Sequence, residues 1–287
     1  MSIANILREK RPSLSFEFFP PKTLALEKVL FDTIDGLQSE NADFSSVTFG
    51  AGGAFADKTF EWIKYIKDTC SYETMMHITC IGFDKSVLDN ILDKLSETGI
   101  ANILALRGDM PKEAKPFSME FPHASDLIQY ISRRGEFCIG AAGYPEGHPE
   151  SESIERDMDM MKLKVDCGAS FIITQLFFDN KFFYQFRERA EKMGINAPII
   201  AGIMPITSFS QIERFQKMCS SHVPENLIRD LDGKDEDYVM KYGVEYAVRQ
   251  CEDLIAKDAA GLHFYTLNRS AATKNILEHI KIFDNKA

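Results

Sequence analysis

The chain has 287 residues, of which 45% are hydrophobic and 26% charged, enough for one large α/β domain or two small ones with a sizeable core. Its formal net charge of -10 argues against nucleic acid and anionic membrane surfaces as partners, although a local basic or helix-N-terminal site could still hold an anionic cofactor. The six cysteines (Cys70, Cys80, Cys138, Cys167, Cys219 and Cys251) lack metal-ligand spacing, which predicts reduced core thiols of a cytosolic protein rather than a disulfide framework.

The first ten residues read as a short amphipathic helix without the apolar centre of a signal peptide, and no apolar stretch is long enough to span a bilayer. Apolar runs then alternate with amphipathic segments. Strands are predicted at Leu14–Phe19, Phe44–Phe49, Thr74–Ile81, Ile100–Leu106, Phe137–Gly143, Ser170–Phe177, Pro198–Met204 and Leu262–Leu267. The intervening helices are Leu24–Ser39, Lys58–Thr69, Lys85–Thr98, Ala124–Arg134, Ser153–Asp166, Phe182–Met193, Phe209–Cys219 and the longer Glu236–Lys257, with Ala272–Ile282 after the last strand. Eight strand–helix units with short connections and no Pro/Gly/Ser-rich linker predict a single α/β domain, a (β/α)8 TIM barrel. A doubly wound open sheet competes, but Gly50-Ala51-Gly52-Gly53 has the wrong spacing for its phosphate-binding turn.

One carboxylate stands out. Glu17 sits in Leu14-Ser15-Phe16-Glu17-Phe18-Phe19-Pro20-Pro21, a strand that the prolines end at once. An ionised carboxylate in such a segment is costly unless it is paired or its proton is used. Chemistry in a barrel gathers at the C-terminal rim, and other polar residues fall at strand ends there: Thr48, His77, Thr79, Arg107-Gly108-Asp109, Tyr144, His148, Gln175 and Asn268-Arg269. Phe171, Ile173 and Gln175 share one face of strand six, so an inward Phe171 carries Gln175 into the lumen. Each residue alone has a structural explanation; Glu17, for example, could be the salt-bridge mate of Arg107. So many strands sending polar groups to one rim favour a functional site. Neither a His/Asp/Glu cluster at metal spacing nor a Gly-x-Ser-x-Gly elbow is present, so no metal is expected.

Ordered motifs then carry a resemblance. Phe16-Glu17-Phe18-Phe19-Pro20-Pro21, Ser46-Val47-Thr48-Phe49-Gly50-Ala51, His77-Ile78-Thr79-Cys80, Ala105-Leu106-Arg107-Gly108-Asp109, Ala142-Gly143-Tyr144-Pro145-Glu146-Gly147-His148-Pro149-Glu150, Thr174-Gln175-Leu176-Phe177-Phe178-Asp179, Gly202-Ile203-Met204-Pro205 and His263-Phe264-Tyr265-Thr266-Leu267-Asn268-Arg269 resemble successive motifs of methylenetetrahydrofolate reductases. The length is similar to that of the bacterial catalytic barrel, without the C-terminal regulatory domain of eukaryotic enzymes. The resemblance implies FAD at the C-terminal face of the strands and hydride from NADH or NADPH passing in turn to methylenetetrahydrofolate, with 5-methyltetrahydrofolate made for methionine synthesis. It also implies a homo-oligomer, a dimer or tetramer in relatives.

By the same resemblance, Glu17 is the general acid that supplies a proton towards N10 of the folate, helped by the apolar company of Phe16 and Phe18. Asp109 contacts the pterin and stabilises a cationic iminium, and Gln175 hydrogen-bonds both alternating ligands. Phe215 stacks on those ligands, while Gln211 and Arg269 hold the folate. The implied FAD contacts are Thr48, Phe49, Ala51, His77, Arg107, Gly108, Asp109, Ala124, Tyr144, His148, Asp157 and Lys164. Arg107 and Lys164 offset the pyrophosphate charge and Asp157 suits ribose hydroxyls. Met160 and Leu163 stand where some bacterial relatives carry Asn and Arg, and Phe49 replaces a more frequent Tyr. Two other readings are a flavin barrel oxidoreductase for another small substrate, as in proline dehydrogenase, and a folate- or flavin-binding subunit without turnover. Glu17, Asp109 and Gln175 together argue against the latter.

Overall fold

The computed structural model describes residues 1–9, 12–21, 23–48, 56–70, 72–110, 118–219 and 221–280. Its eight strands are β1 (Ser13–Phe18), β2 (Phe44–Val47), β3 (Glu73–Thr79), β4 (Asn102–Leu106), β5 (Cys138–Gly143), β6 (Phe171–Thr174), β7 (Ile199–Ile203) and β8 (Gly261–Tyr265). They pair in parallel, in sequence order, and β8 closes on β1, giving the barrel that the alternation of segments predicts. The helices are α1 (Ile3–Glu9), α2 (Leu24–Leu37), α3 (Ala56–Thr69), α4 (Lys85–Thr98), α5 (Ala124–Ser132), α6 (Ile154–Asp166), α7 (Asn180–Lys192), α8 (Phe209–Cys219), α9 (Glu225–Leu231), α10 (Glu236–Ala256) and α11 (Ser270–His279). Among the described residues no helix is long and apolar enough to cross a membrane.

Helix starts follow local chemistry: the side chains of Thr23, Asp84, Ser153, Asp179 and Asp235 each accept a hydrogen bond from a backbone N–H of the first turn. Strand six is shorter than its pattern predicts. It ends at Thr174, so Gln175 lies just past the strand, although its N–H still reaches the Gly143 carbonyl at 2.7 Å. Helix α9 was not among the predicted elements. Its two fully buried residues, Leu227 and Leu231, form one apolar i, i+4 pair, too few to register as a period.

Period-two alternation sorts the strand side chains into two cores. Leu14, Phe16, Phe18, Val47, Met76 and Ile78 face outward into the layer beneath the helices. Phe44, Met75, Leu104, Phe171, Ile173 and Ile200 fill the lumen together with Ile3 and Leu7 of α1. Helix α1 is held there by the Ile3 N–H, which donates to Asn102 Oδ1 at 2.9 Å at the start of β4. It therefore stoppers the N-terminal end of the barrel. Fully burying each of these large side chains contributes roughly 1.5–3 kcal/mol.

Candidate functional site

Glu17 is 5% exposed and belongs to the lumen, because its register partners are Ser46 on β2 and Tyr265 on β8. The same alternation corrects one expectation. Phe16 and Phe18 flank Glu17 in sequence but point to the opposite face, so they do not form its pocket. Its surroundings are imidazoles: His263 Nε2 lies 3.4 Å and His77 Nε2 3.5 Å from the same oxygen, Oε2. Burial pulls the His77 ring down to about 4, with Glu17 opposing and His263 reinforcing the shift, so His77 is neutral at physiological pH. His77, expected as an FAD contact, is thus first of all a neighbour of Glu17.

Arg107 is not the mate of Glu17 either. Its guanidinium grips Glu150 through both terminal nitrogens, at 2.5 and 2.9 Å. Gly108 follows with φ +86°, and a Cβ there would meet the Thr79 side chain at 2.9 Å, so the β4 exit requires glycine on both counts. Around Arg107 the structure gathers several of the sequence-predicted cofactor residues. The Tyr144 and His148 rings meet edge to face at 4.6 Å, and the Glu150 N–H donates to His148 Nδ1 at 3.1 Å. Lys164 Nζ donates to the Ala142 carbonyl at 3.1 Å and lies 5.9 Å from the Tyr144 ring centre. Burial pushes the Asp157 carboxyl up and the Lys164 ammonium down, and their attraction for each other opposes both shifts. Burial and the nearby Arg107 charge lower His148. The result is a partly desolvated rim cluster with two cations, two ring faces and an acceptor.

The other predicted residues divide. Thr48 follows β2 and donates its N–H to the Phe18 carbonyl at 3.1 Å; Ala124 is the buried first residue of α5. Asp109 is exposed beyond β4. Phe49 and Ala51 lie outside the described residues. Gln175 is half-buried, and its Oε1 accepts from the Leu176 N–H at 2.9 Å. The Gln211 amide is spent within its own loop, accepting from the Thr207 N–H and hydroxyl and donating to the Pro205 carbonyl. Phe215 packs with Leu176, Met204 and Ile212, with the Arg214 guanidinium 5.8 Å from its ring centre. Arg269 is exposed at the start of α11 and lines a surface groove of about 340 Å³ with Asp32, Thr207 and Asn268. Sequence reasoning missed His263, Ser15 and Glu150 as site residues. The signal for the first two was period-two alternation: Ser15 shares the face of Glu17 on β1, and His263 shares the face of Gly261 and Tyr265 on its register partner β8. Among the described residues no group of three or more His, Cys, Asp or Glu could hold a metal ion.

Comparison with known proteins decides the family. The model described as methylenetetrahydrofolate reductase matches residues 2–281. The chain belongs to the methylenetetrahydrofolate reductase family. It is 38% identical over 262 residues to the 5,10-methylenetetrahydrofolate reductase of Pectobacterium carotovorum subsp. carotovorum, covering 91% of this chain and 87% of the relative. The Escherichia coli (strain K12) reductase is 38% identical over 260 residues, with 90% and 87% covered. The Arabidopsis thaliana methylenetetrahydrofolate reductase (NADH) 1 is 37% identical over 298 residues, covering 98% of this chain but 50% of the relative, so the chain spans about half the length of that plant member of the family. A Clostridium thermocellum protein whose structure binds two copies of 5-methyl-5,6,7,8-tetrahydrofolic acid shares the fold at a TM-score of 0.64 and 12% identity, with 98% of each chain covered.

Proposed function

We propose that this member of the family uses FAD to pass a hydride from NADH or NADPH to 5,10-methylenetetrahydrofolate, yielding 5-methyltetrahydrofolate in the cytosol. The carrying observation is Glu17: a buried lumenal carboxyl near the C-terminal end of β1, hydrogen-bonded through Oε2 to His263 with the His77 ring close by, leaves Oε1 for a ligand. A group so placed suits proton delivery to a substrate nitrogen.

The rim cluster fits a dinucleotide. Arg107 and Lys164 would hold the pyrophosphate, Asp157 the ribose hydroxyls, and Tyr144 and His148 an aromatic wall, around the β4 and β5 exits. Such a cofactor supplies hydride chemistry that no side chain can perform. The chain's own tasks are the rest. Glu17 protonates towards N10 as the methylene bridge opens, the Asp109 charge favours the resulting iminium cation, and Gln175 offers its amide to each ligand in turn. The five described free thiols, Cys70, Cys80, Cys138, Cys167 and Cys251, suit a reducing compartment.

The test is optical. Purified protein should be yellow and bleach when NADH is added anaerobically, and methylenetetrahydrofolate should restore the colour. A colourless preparation that takes up no added FAD would refute the reading. Glu17→Gln should slow colour return by about 100-fold or more while largely sparing bleaching. Equal loss of both would remove Glu17 from the acid role.

A further inference from the structure

His263 is fully buried on the lumenal face of β8, stacked 6.1 Å from Phe44 and edge-on to Tyr265 at 5.5 Å. Its two nitrogens face different partners: Nδ1 is 2.8 Å from Ser15 Oγ, and Nε2 is 3.4 Å from Glu17 Oε2. Ser15 Oγ also donates to the Leu262 carbonyl at 3.2 Å. A hydroxyl has one proton to give, and a carbonyl can only accept. Both contacts are made at once only when the Ser15 proton goes to Leu262 and Ser15 accepts from His263, the arrangement that places a proton on Nδ1. Nε2 is left turned to Glu17 as the site where a proton can be exchanged.

We propose that His263, locked by Ser15, is a positioning residue that holds one proton in common with Glu17 and so keeps the acid loaded and aimed. This rests on the functional reading above. In the loaded pair the proton sits on the carboxyl or on Nε2, and either way Ser15 receives the same Nδ1–H, so the ring need not turn. Transfer from the carboxyl to the substrate nitrogen leaves Glu17 as carboxylate beside a neutral imidazole. A proton from water reloads the pair after product leaves. The titratable groups that face the pair among the described residues are His77 on β3 and Tyr265 on β8. Neither substitutes for His263: His77 stays neutral, and the Tyr265 hydroxyl donates to the Thr174 carbonyl at 2.7 Å.

The experiment uses FAD-loaded enzyme and follows both half-reactions by stopped flow across pH. His263→Gln should slow flavin reoxidation by methylenetetrahydrofolate about 100-fold and change its pH profile, while reduction by NADH keeps its wild-type rate. Ser15→Ala should slow reoxidation by about tenfold, the scale of one hydrogen bond. Ser46→Ala, which removes a buried lumenal hydroxyl without a hydrogen-bond partner, should leave both steps unchanged. An unchanged reoxidation rate in His263→Gln, or an equal fall in both half-reactions, would overturn the proposal. Where His263→Gln fails to fold, Ser15→Ala decides by the same criteria. Wild-type enzyme that neither NADH nor NADPH bleaches would instead overturn the functional reading, and this inference with it, before any variant is made.

Discussion

Asn268 holds Phe19 by both ends of its amide: the Phe19 N–H donates to Oδ1 at 2.9 Å, and Nδ2 donates to the Phe19 carbonyl at 2.8 Å. The clasp joins the exits of the first and last strands, two residues from Glu17. It is reinforced by Thr266 Oγ1, which donates to the Glu17 carbonyl at 2.6 Å. Leu267 and Asn268 take φ +51° and +54°, consecutive left-handed positions without glycine. Asn268→Gly should cost about 2 kcal/mol for two lost hydrogen bonds. Asn268→Ala should cost about 1 kcal/mol more, because the left-handed backbone then carries a Cβ without the amide that held it. Urea denaturation of the two variants measures the difference, and equal stability would show that the φ values carry no strain.

Gly202 is a second point of close approach. A Cβ there would lie 2.3 Å from the Thr174 carbonyl oxygen and 2.8 Å from the Tyr265 ring. The first contact is backbone and cannot rotate away. Gly202→Ala should therefore destabilise by about 3 kcal/mol, measured as a fall in Tm. A shift of under a degree would mean that β7 moves freely against β6.

The Arg107–Glu150 pair predicts a charge effect. Glu150 is exposed and its carboxyl is drawn below the usual range by Arg107. Glu150→Gln leaves the guanidinium free for an anionic ligand and should tighten FAD binding several-fold at low ionic strength. The gain should shrink in 1 M salt, where screening acts within about 3 Å. Fluorescence titration of the apoprotein measures both; weaker binding in the variant would mean that Glu150 orients Arg107 rather than competing for it.

His77 makes acid stability predictable in sign. Unfolded, its ring takes a proton near pH 6.5; folded, burial delays this to about 4. Between these values the unfolded chain binds the extra proton, so the stability that His77 allows at neutral pH is lost as pH falls through the window, by up to about 3 kcal/mol. His77→Gln should flatten that part of the stability–pH curve. Urea midpoints from pH 7 to 4 provide the comparison, and parallel curves would show that another group controls the acid limb.

Much of this was legible in the sequence, for physical reasons that also mark where legibility stopped. The barrel follows from alternating apolar runs and capped helices, and Glu17 was conspicuous as a charge among phenylalanines. Its environment was not. Period-two geometry turns Phe16 and Phe18 away, and the imidazole that meets Glu17 lies 246 residues along the chain, adjacent only once β8 closes on β1. The rim residues were recognisable as motifs, whereas the Arg107–Glu150 pairing joins two loops that no spacing rule relates. Gln175 was assigned to a strand that stops one residue short of it, because an apolar run does not show where the ladder ends.

The stopper formed by Ile3 and Leu7 has a consequence for traffic. A tube open at both ends could admit a donor from below and an acceptor from above. With one end plugged, everything that reaches the interior shares a single doorway. On the function proposed above, hydride donor and acceptor would therefore come and go by the same mouth, at the C-terminal ends of the strands.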